Sequence, residues 1–385
     1  MAHENKLGYA AKVALVTIFM TLPTFGPSLV AASDGIQTMV AADRDSIMDA
    51  PVTESKSGVD FNSGDHKGNT ELCQVGLDAF QTLDASLRGT HALVAAAEGG
   101  LVDRVITLLK SGLDVNARDY VGDTALYQAS LTGHADVVKI LLEHGAIPDA
   151  TATGGRTPLM AASENGNLDS GELLLASGVN VNLTDRKGDT ALIDASKRGH
   201  LEIARLLLSK GANVNTADHQ GDTALIEAAK SGHLEITRLL LSNGANVNAT
   251  DKEWRSPLLE AAYHGNLGIM RLLLEKGANV NTADKDDGAT PLIVIMRHQS
   301  SGYINIAKLL IDKGADINAQ ARDGYTALHD AAAKGNNVEV EFLLDHGADP
   351  RIQGLNGRTP YLVALSRGHR DTAALFEKRK SSKKR

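Results

Sequence analysis

The chain has 385 residues, a formal net charge of −8, 43% apolar residues but only 4% aromatic ones, and a single cysteine, Cys73. An acidic molecule has no overall attraction for nucleic acid, and one thiol supports neither a disulfide framework nor a cysteine-ligated metal site. A chain this long would ordinarily divide into two or three domains, but so few large rings suit close packing of Ala and Leu better than large cores.

In chain order, residues 1–32 read as a secretory signal. Lys6 and Lys12 precede an apolar run from Val13 to Phe25, and Val30-Ala31-Ala32 offers a small-residue cleavage site before Ser33. Val40-Ala41-Ala42 is a rival site, and an uncleaved anchor is the weaker alternative because the run is about half the ~20 residues a spanning helix needs. No Cys opens the mature chain, so no lipid anchor is expected. The expected location is therefore the periplasm or the outside of the cell. Residues 33–70 are rich in Asp, Ser and Gly without an apolar period, as in a disordered tether. Residues 71–88 place Leu72, Val75, Ala79, Phe80 and Leu83 at helical spacing, suiting a capping helix over the exposed apolar end of a repeat array.

Residues 89–376 repeat themselves. A Thr-type anchor recurs at His91, Thr124, Thr157, Thr190, Thr223, Ser256, Thr290, Thr326 and Thr359, with spacings of 33, 33, 33, 33, 33, 34, 36 and 33. Nine units result, and the seventh carries an insertion. In repeat five, Thr223 is placed to cap a helix through Leu225, Ala228 and Ala229, and Gly232 to end it in a left-handed conformation. His233 is expected to bond back across that turn. Leu234, Ile236, Leu239 and Leu240 then give a second helix its buried stripe, Gly244 ends it, and Ala245-Asn246-Val247-Asn248 leads to a polar finger around Asp251. Repeat three, with Gly154-Gly155 in its finger and Gly171 inside its second helix, is the least regular unit. Repeat nine departs from the pattern at Tyr361 and Leu365, as a C-terminal cap would. Residues 377–385 form a basic tail, read as a solvated terminus, with contact to an acidic membrane surface or partner as the alternative.

The segments Gly188-Asp189-Thr190-Ala191-Leu192, Gly221-Asp222-Thr223-Ala224-Leu225 and Asp323-Gly324-Tyr325-Thr326-Ala327-Leu328-His329, with their Gly-Ala-Asn-Val-Asn endings, resemble the ankyrin repeat. The resemblance implies an all-α solenoid of about nine helix-turn-helix units with short β-hairpin fingers. It also implies that protein partners dock on the fingers and on the concave face of the first helices.

No catalytic constellation is expected. His134, His200, His233 and His369 take the Gly-His step, His329 a Thr-x-Leu-His position, and His144 and His346 helix ends. These recur a repeat apart rather than in ligand clusters, and HExxH, paired cysteines, phosphate-binding glycine loops and a serine elbow are missing from the sequence. Neither a cofactor nor a small-molecule substrate is expected.

The positions before the Gly-His step are expected to face the groove. From repeat four onward they are basic or aromatic: Lys197, Arg198, Lys230, Tyr263, His264, Arg297, His298 and Lys334. Arg186, Lys187, Lys252 and Arg255 in the fingers extend this stripe, while Asp189, Asp222 and Glu253 lie in the same fingers. Trp254, the only tryptophan, stands where other fingers have glycine, so either the turn changes shape or something offsets its strain. It is read as a partner anchor or, equally, as packing against a neighbouring finger. The expected function is a monomeric, non-enzymatic scaffold binding an acidic protein surface through repeats four to eight. An anionic polymer on the same stripe and a secreted host-directed effector are the alternatives.

Overall fold

The computed structural model describes residues 89–298 and 303–382, with side chains through Arg379. The expected signal, tether and capping helix, residues 1–88, lie outside the described residues, as do 299–302 and 383–385.

The described residues form helix pairs in register with the sequence period. Helix α1 (89–98) pairs with α2 (Val102–Lys110), α3 (Ala125–Thr132) with α4 (Ala135–Glu143), and α5 (Pro158–Asn165) with α6 (Leu168–Ala176). Then α7 (Ala191–Arg198) pairs with α8 (Leu201–Ser209), α9 (Ala224–Ser231) with α10 (Leu234–Ser242), and α11 (Pro257–Tyr263) with α12 (Leu267–Glu275). Helices α13 (Pro291–Arg297) and α14 (Tyr303–Asp312), α15 (Ala327–Lys334) and α16 (Asn337–Asp345), and α17 (Pro360–Ser366) and α18 (Arg370–Ser382) complete the stack. First helices pack on first helices and second on second, so the core is a continuous seam. Alanines fill it where helices approach closely, as Ala228 and Ala229 do in α9. Helix α18 runs on into the expected tail, tied back by an Arg379–Asp345 ion pair.

Six of the anchor hydroxyls cap their helices, while that of Thr290 is buried and has no hydrogen-bond partner among the described residues. Thr124, Thr157, Thr190, Thr223, Ser256 and Thr359 accept from the backbone N–H three residues on, at 3.1–3.4 Å. His91 does not, because α1 has already begun at residue 89. In repeat eight the His329 ring takes part instead: Nδ1 lies 3.1 Å from the Thr326 N and 2.9 Å from its hydroxyl, and Nε2 meets the Arg358 carbonyl at 3.1 Å. This arrangement fits a neutral ring protonated at Nε2.

Three sets of hydrogen bonds join each repeat to its neighbour. At the Gly-His step the rings of His200, His233, His298 and His369 reach the Glu164, Lys197, Ala262 and Ala333 carbonyls of the preceding repeat, at 2.9–3.2 Å. The His233 bond therefore crosses repeats and not its own turn. On the tails, Asn182 Oδ1 accepts from Asn213 N, Asn215 Oδ1 from Asn246 N and Asn248 Oδ1 from Asn279 N, at 2.7–2.8 Å. In the fingers, the N–H groups of Arg186, His219, Lys252, Lys285, Arg322 and Leu355 donate to the carbonyls of Gly154, Lys187, Gln220, Glu253, Asp287 and Asp323, at 2.6–2.9 Å. The fingers were expected as β-hairpins. Among the described residues they are hydrogen-bonded turns with isolated bridges at Arg118–Thr124 and Ala217–Thr223.

Repeat three is built less tightly. At the level where α8 buries Ile203, α6 buries Ser170, whose hydroxyl has no partner, and next to it Gly171 leaves room for the Ile203 side chain. Amide exchange in Leu168–Ala176 is expected to be faster than in Leu201–Ser209 and Leu234–Ser242. Equal protection in a native-state exchange experiment would refute a weak joint.

Candidate functional site

The groove is lined by the first helices, and its electrostatics depend on a row that the basic stripe conceals. Four residues after the anchor, repeats four, five, six and eight carry Asp194, Glu227, Glu260 and Asp330, and repeat seven carries Val294. Asp194, Glu227 and Glu260 are buried, and the Asp330 side chain is 18% exposed. A carboxylate removed from water needs a cation or hydrogen bonds close by, and the stripe supplies them.

Lys197 reaches Glu227 at 3.3 Å, and Arg198 reaches Glu164 at 2.7 Å. Arg255 bridges Glu260 at 3.4 Å and Asp286 at 2.9 Å, and His264 Nδ1 lies 3.4 Å from the other Glu260 oxygen. Arg297 holds Asp287 and, at 3.3 Å, Asp330. Arg156, from the finger of repeat three, binds Glu164, Asp185 and Asp194 at 2.9, 3.3 and 2.8 Å. Lys197, Arg198, Arg255, Arg297 and Lys334 were expected to await an acidic partner. In the structure they already hold carboxylates of this chain.

Lys334 departs furthest from the expectation. Its ammonium sits 2.7 Å from Glu339 Oε2 and donates to the His298 carbonyl. Asn336 replaces the step histidine in repeat eight and caps its own helix, so Lys334 makes the cross-repeat bond in its place. His298 is likewise structural, stacked on Tyr303 with ring centroids 5.1 Å apart. Among the described residues Lys230 is half-buried without an ion pair, while Arg186, Lys187 and Lys252 are exposed and form none.

Between fingers six and seven a cleft of about 460 Å³ is lined by Arg255, Glu260, Tyr263, His264, Asp284, Asp286 and Asp287. The Tyr263 hydroxyl donates to Asp284, and burial followed by that carboxylate pushes its pKa up. With four carboxylates, one guanidinium and one imidazole, the centre of the expected basic stripe is acidic.

Burial sets the titration of the groove. It pushes Asp194 up to about 7 despite Arg156, Asp330 to about 6 despite Arg297, and Asp222 to about 6 with help from Glu227 and Asp218. Each binds a proton more readily folded than at its ordinary 3.8, so folding takes up protons below about pH 7 and stability rises as pH falls. His329, lowered by burial from 6.5, acts in the opposite sense. The thermal midpoint is expected to be higher near about pH 6 than about pH 8, with Asp222→Asn reducing the difference. Calorimetry showing a flat or reversed dependence would contradict this account.

Trp254 decides between the two readings of its finger. Its φ is 62°, and it is the sole non-glycine residue with positive φ among the described residues. The turn has kept its shape: Trp254 N donates to Asp251 O at 3.1 Å, as Gly221 N does to Asp218 O at 3.0 Å. A Cβ at Gly188, Gly221 or Gly324 would come within 2.8–2.9 Å of the next finger's backbone. The finger facing Trp254 is one residue longer, with Gly288 four positions after Asp284 where Trp254 stands three after Asp251. The indole is 59% exposed, so packing against that finger does not account for it.

Among the described residues no group of three or more His, Cys, Asp and Glu side chains is placed to hold a metal ion, and no helix is long and apolar enough to cross a membrane. The sequence model for ankyrin repeats matches residues 64–152, 93–185, 159–251, 250–321 and 295–384. The chain belongs to the ankyrin-repeat family. Its ankyrin repeats are 49% identical over 61 residues, 16% of this chain and 6% of the relative, to a rice protein, "Potassium channel AKT1". They are 45% identical over 53 residues, 14% and 7%, to the bovine "tRNA endonuclease ANKZF1", and 48% over 50 residues, 13% and 4%, to the mouse "Rabankyrin-5". The chain thus spans less than a tenth of the length of each of these relatives. The ankyrin repeats of this family are in general protein-interaction modules.

Proposed function

We propose that the protein is a non-enzymatic scaffold outside the cytoplasm, periplasmic or secreted, that acts as a monomer and binds an acidic surface of another protein. The binding face is the concave side and fingers of repeats four to eight. One observation carries the reading: a tryptophan held exposed in a conformation that costs a non-glycine residue about 1–2 kcal/mol. Strain of this kind persists where function repays it, and tryptophan is the residue type that most often anchors an interface. Arg186 and Lys187 in finger four and Lys252 beside Trp254 in finger six, exposed and free of ion pairs among the described residues, supply the attraction for acidic groups.

The test is site-specific photo-crosslinking in the organism's own envelope and secreted fractions. A photoreactive residue replaces Trp254 in one variant and Arg205, on the second-helix side, in another. A discrete protein adduct at position 254 and none at 205 is expected. Equal labelling at both positions, or none at 254, would remove the reading.

A further inference from the structure

We propose that the fingertips of repeats four to eight form a cationic rail that takes an extended acidic segment of a protein partner. The proposal rests on the protein-binding reading above and deepens it by stating where the acidic groups go. They go to the fingertips, because the groove is neutralised.

The rail is Arg186, Lys252, Lys285 and Arg322, with His219 at the same position in the finger between the first two. These residues occupy one position in five successive fingers, all are exposed, and none forms an ion pair among the described residues. Their backbone N–H groups are the donors of the finger-to-finger bonds at 2.6–2.9 Å, so their register is fixed by the backbone. In repeats four to seven the acid just before each is spent on the turn. Asp185 Oδ1 accepts from Lys187 N and Asp189 N at 2.7 and 3.0 Å, and Asp218, Asp251 and Asp284 make the equivalent pairs at 2.7–3.0 Å. Those carboxylates face inward and leave the next side chain uncompensated. Cations elsewhere have local reasons: Lys210 and Lys276 end second helices, where the helix dipole favours them, and Arg205 and Arg238 face Glu202 and Glu235.

Packed helices lie about 8–10 Å apart, which is close to three residues of an extended chain at about 3.3 Å each. An acidic side chain at every third position would meet the rail in register. The occupant is a polypeptide because Glu253, Asp286 and Asp323 stand in the same fingers between the cations. A uniformly charged polymer is repelled at each of them, whereas a polypeptide can place neutral or basic residues there. Trp254 and Leu355, the latter 82% exposed in the last finger, add apolar contact that a protein segment can use.

The experiment measures fluorescence anisotropy of two labelled probes, a short peptide with glutamate at every third position and glycine or serine between, and a heparin oligosaccharide. The proteins are the full chain, the fingertip reversal Arg186→Glu/Lys252→Glu/Lys285→Glu/Arg322→Glu, and a control reversal Arg205→Glu/Arg238→Glu/Arg271→Glu. The fingertip variant is expected to lose affinity for the spaced-glutamate peptide about tenfold or more, with the control close to the parent. All altered side chains are exposed, so unchanged thermal unfolding is expected and confirms a folded comparison. Equal loss in both reversals, no loss in the fingertip variant, no binding of the spaced-glutamate peptide by the parent, or tighter binding of heparin would each overturn the proposal. Its failure is separable from that of the scaffold reading. A protein adduct at position 254 with unaltered peptide binding by the fingertip variant sinks the rail alone. Rail-dependent peptide binding without an adduct sinks the scaffold reading.

Discussion

Lys334→Ala is expected to destabilise the C-terminal repeats by about 3–5 kcal/mol, the largest loss from any single residue of the groove, because it strands a buried charge. Glu339 is 0% exposed and takes the core level that α8, α10, α12 and α14 fill with Ile203, Ile236, Ile269 and Ile306. Its Oε2 lies 2.7 Å from the Lys334 ammonium, and Oε1 has no hydrogen-bond partner among the described residues. Burial raises the Glu339 pKa, so without the lysine the folded state is relieved by taking up a proton, and the deficit is expected to shrink as pH falls. Denaturant unfolding of Lys334→Ala at two pH values measures this. Because a paired buried charge is replaceable by apolar groups, Lys334→Met/Glu339→Ile is expected to be neutral or more stable by about 1–4 kcal/mol. A single variant within about 0.5 kcal/mol of the parent would show that the pair is solvated.

Trp254→Gly is expected to move stability and binding in opposite directions. Restoring glycine removes a left-handed penalty of about 1–2 kcal/mol and returns roughly 0.5–1 kcal/mol of that as chain entropy, for a net gain near 0.5–1 kcal/mol. Partner affinity is expected to fall by about 2 kcal/mol or more, as for a central anchor. Trp254→Ala keeps the strain and loses the indole, so it should bind as poorly as the glycine variant without the gain in stability. Equal binding by all three proteins would leave the strain without a purpose at this site.

The fold was legible because each recurring residue answers a local backbone demand. Thr223 caps, Gly232 and Gly244 take positive φ, and Ala228 and Ala229 let helices approach, and none of these depends on a distant neighbour. The His233 bond shows where such reading stops: its acceptor, Lys197 O, lies 36 residues away and is identified only by stacking. The charge balance of the groove was not legible for a related reason. Asp194, Glu227, Glu260 and Asp330 recur four residues after their anchors and were visible as a row, but their neutralising effect depends on cations one repeat away. Placed beside the anchors at repeat spacing, that row was the available signal. Lys334 could not have been assigned from spacing, because its role arises from the loss of a histidine at position 336.

The finger, histidine and asparagine bonds have a consequence for how such a molecule changes length. The joints on either side of repeat four present the same donors to the same acceptors, and at the next joint Asn266 takes the place of the ring on the equivalent carbonyl. Repeats four and five are therefore interchangeable links, and duplicating or excising one leaves matching ends on both sides. The joints at Trp254 and Lys334 are exceptions. The first needs a lengthened finger opposite it, and the second needs a lysine in place of the missing ring. A unit copied from elsewhere does not fit against either. A duplication or excision before repeat six therefore leaves every partner in place, whereas one within repeats six to eight separates the tryptophan or the lysine from the residues it faces.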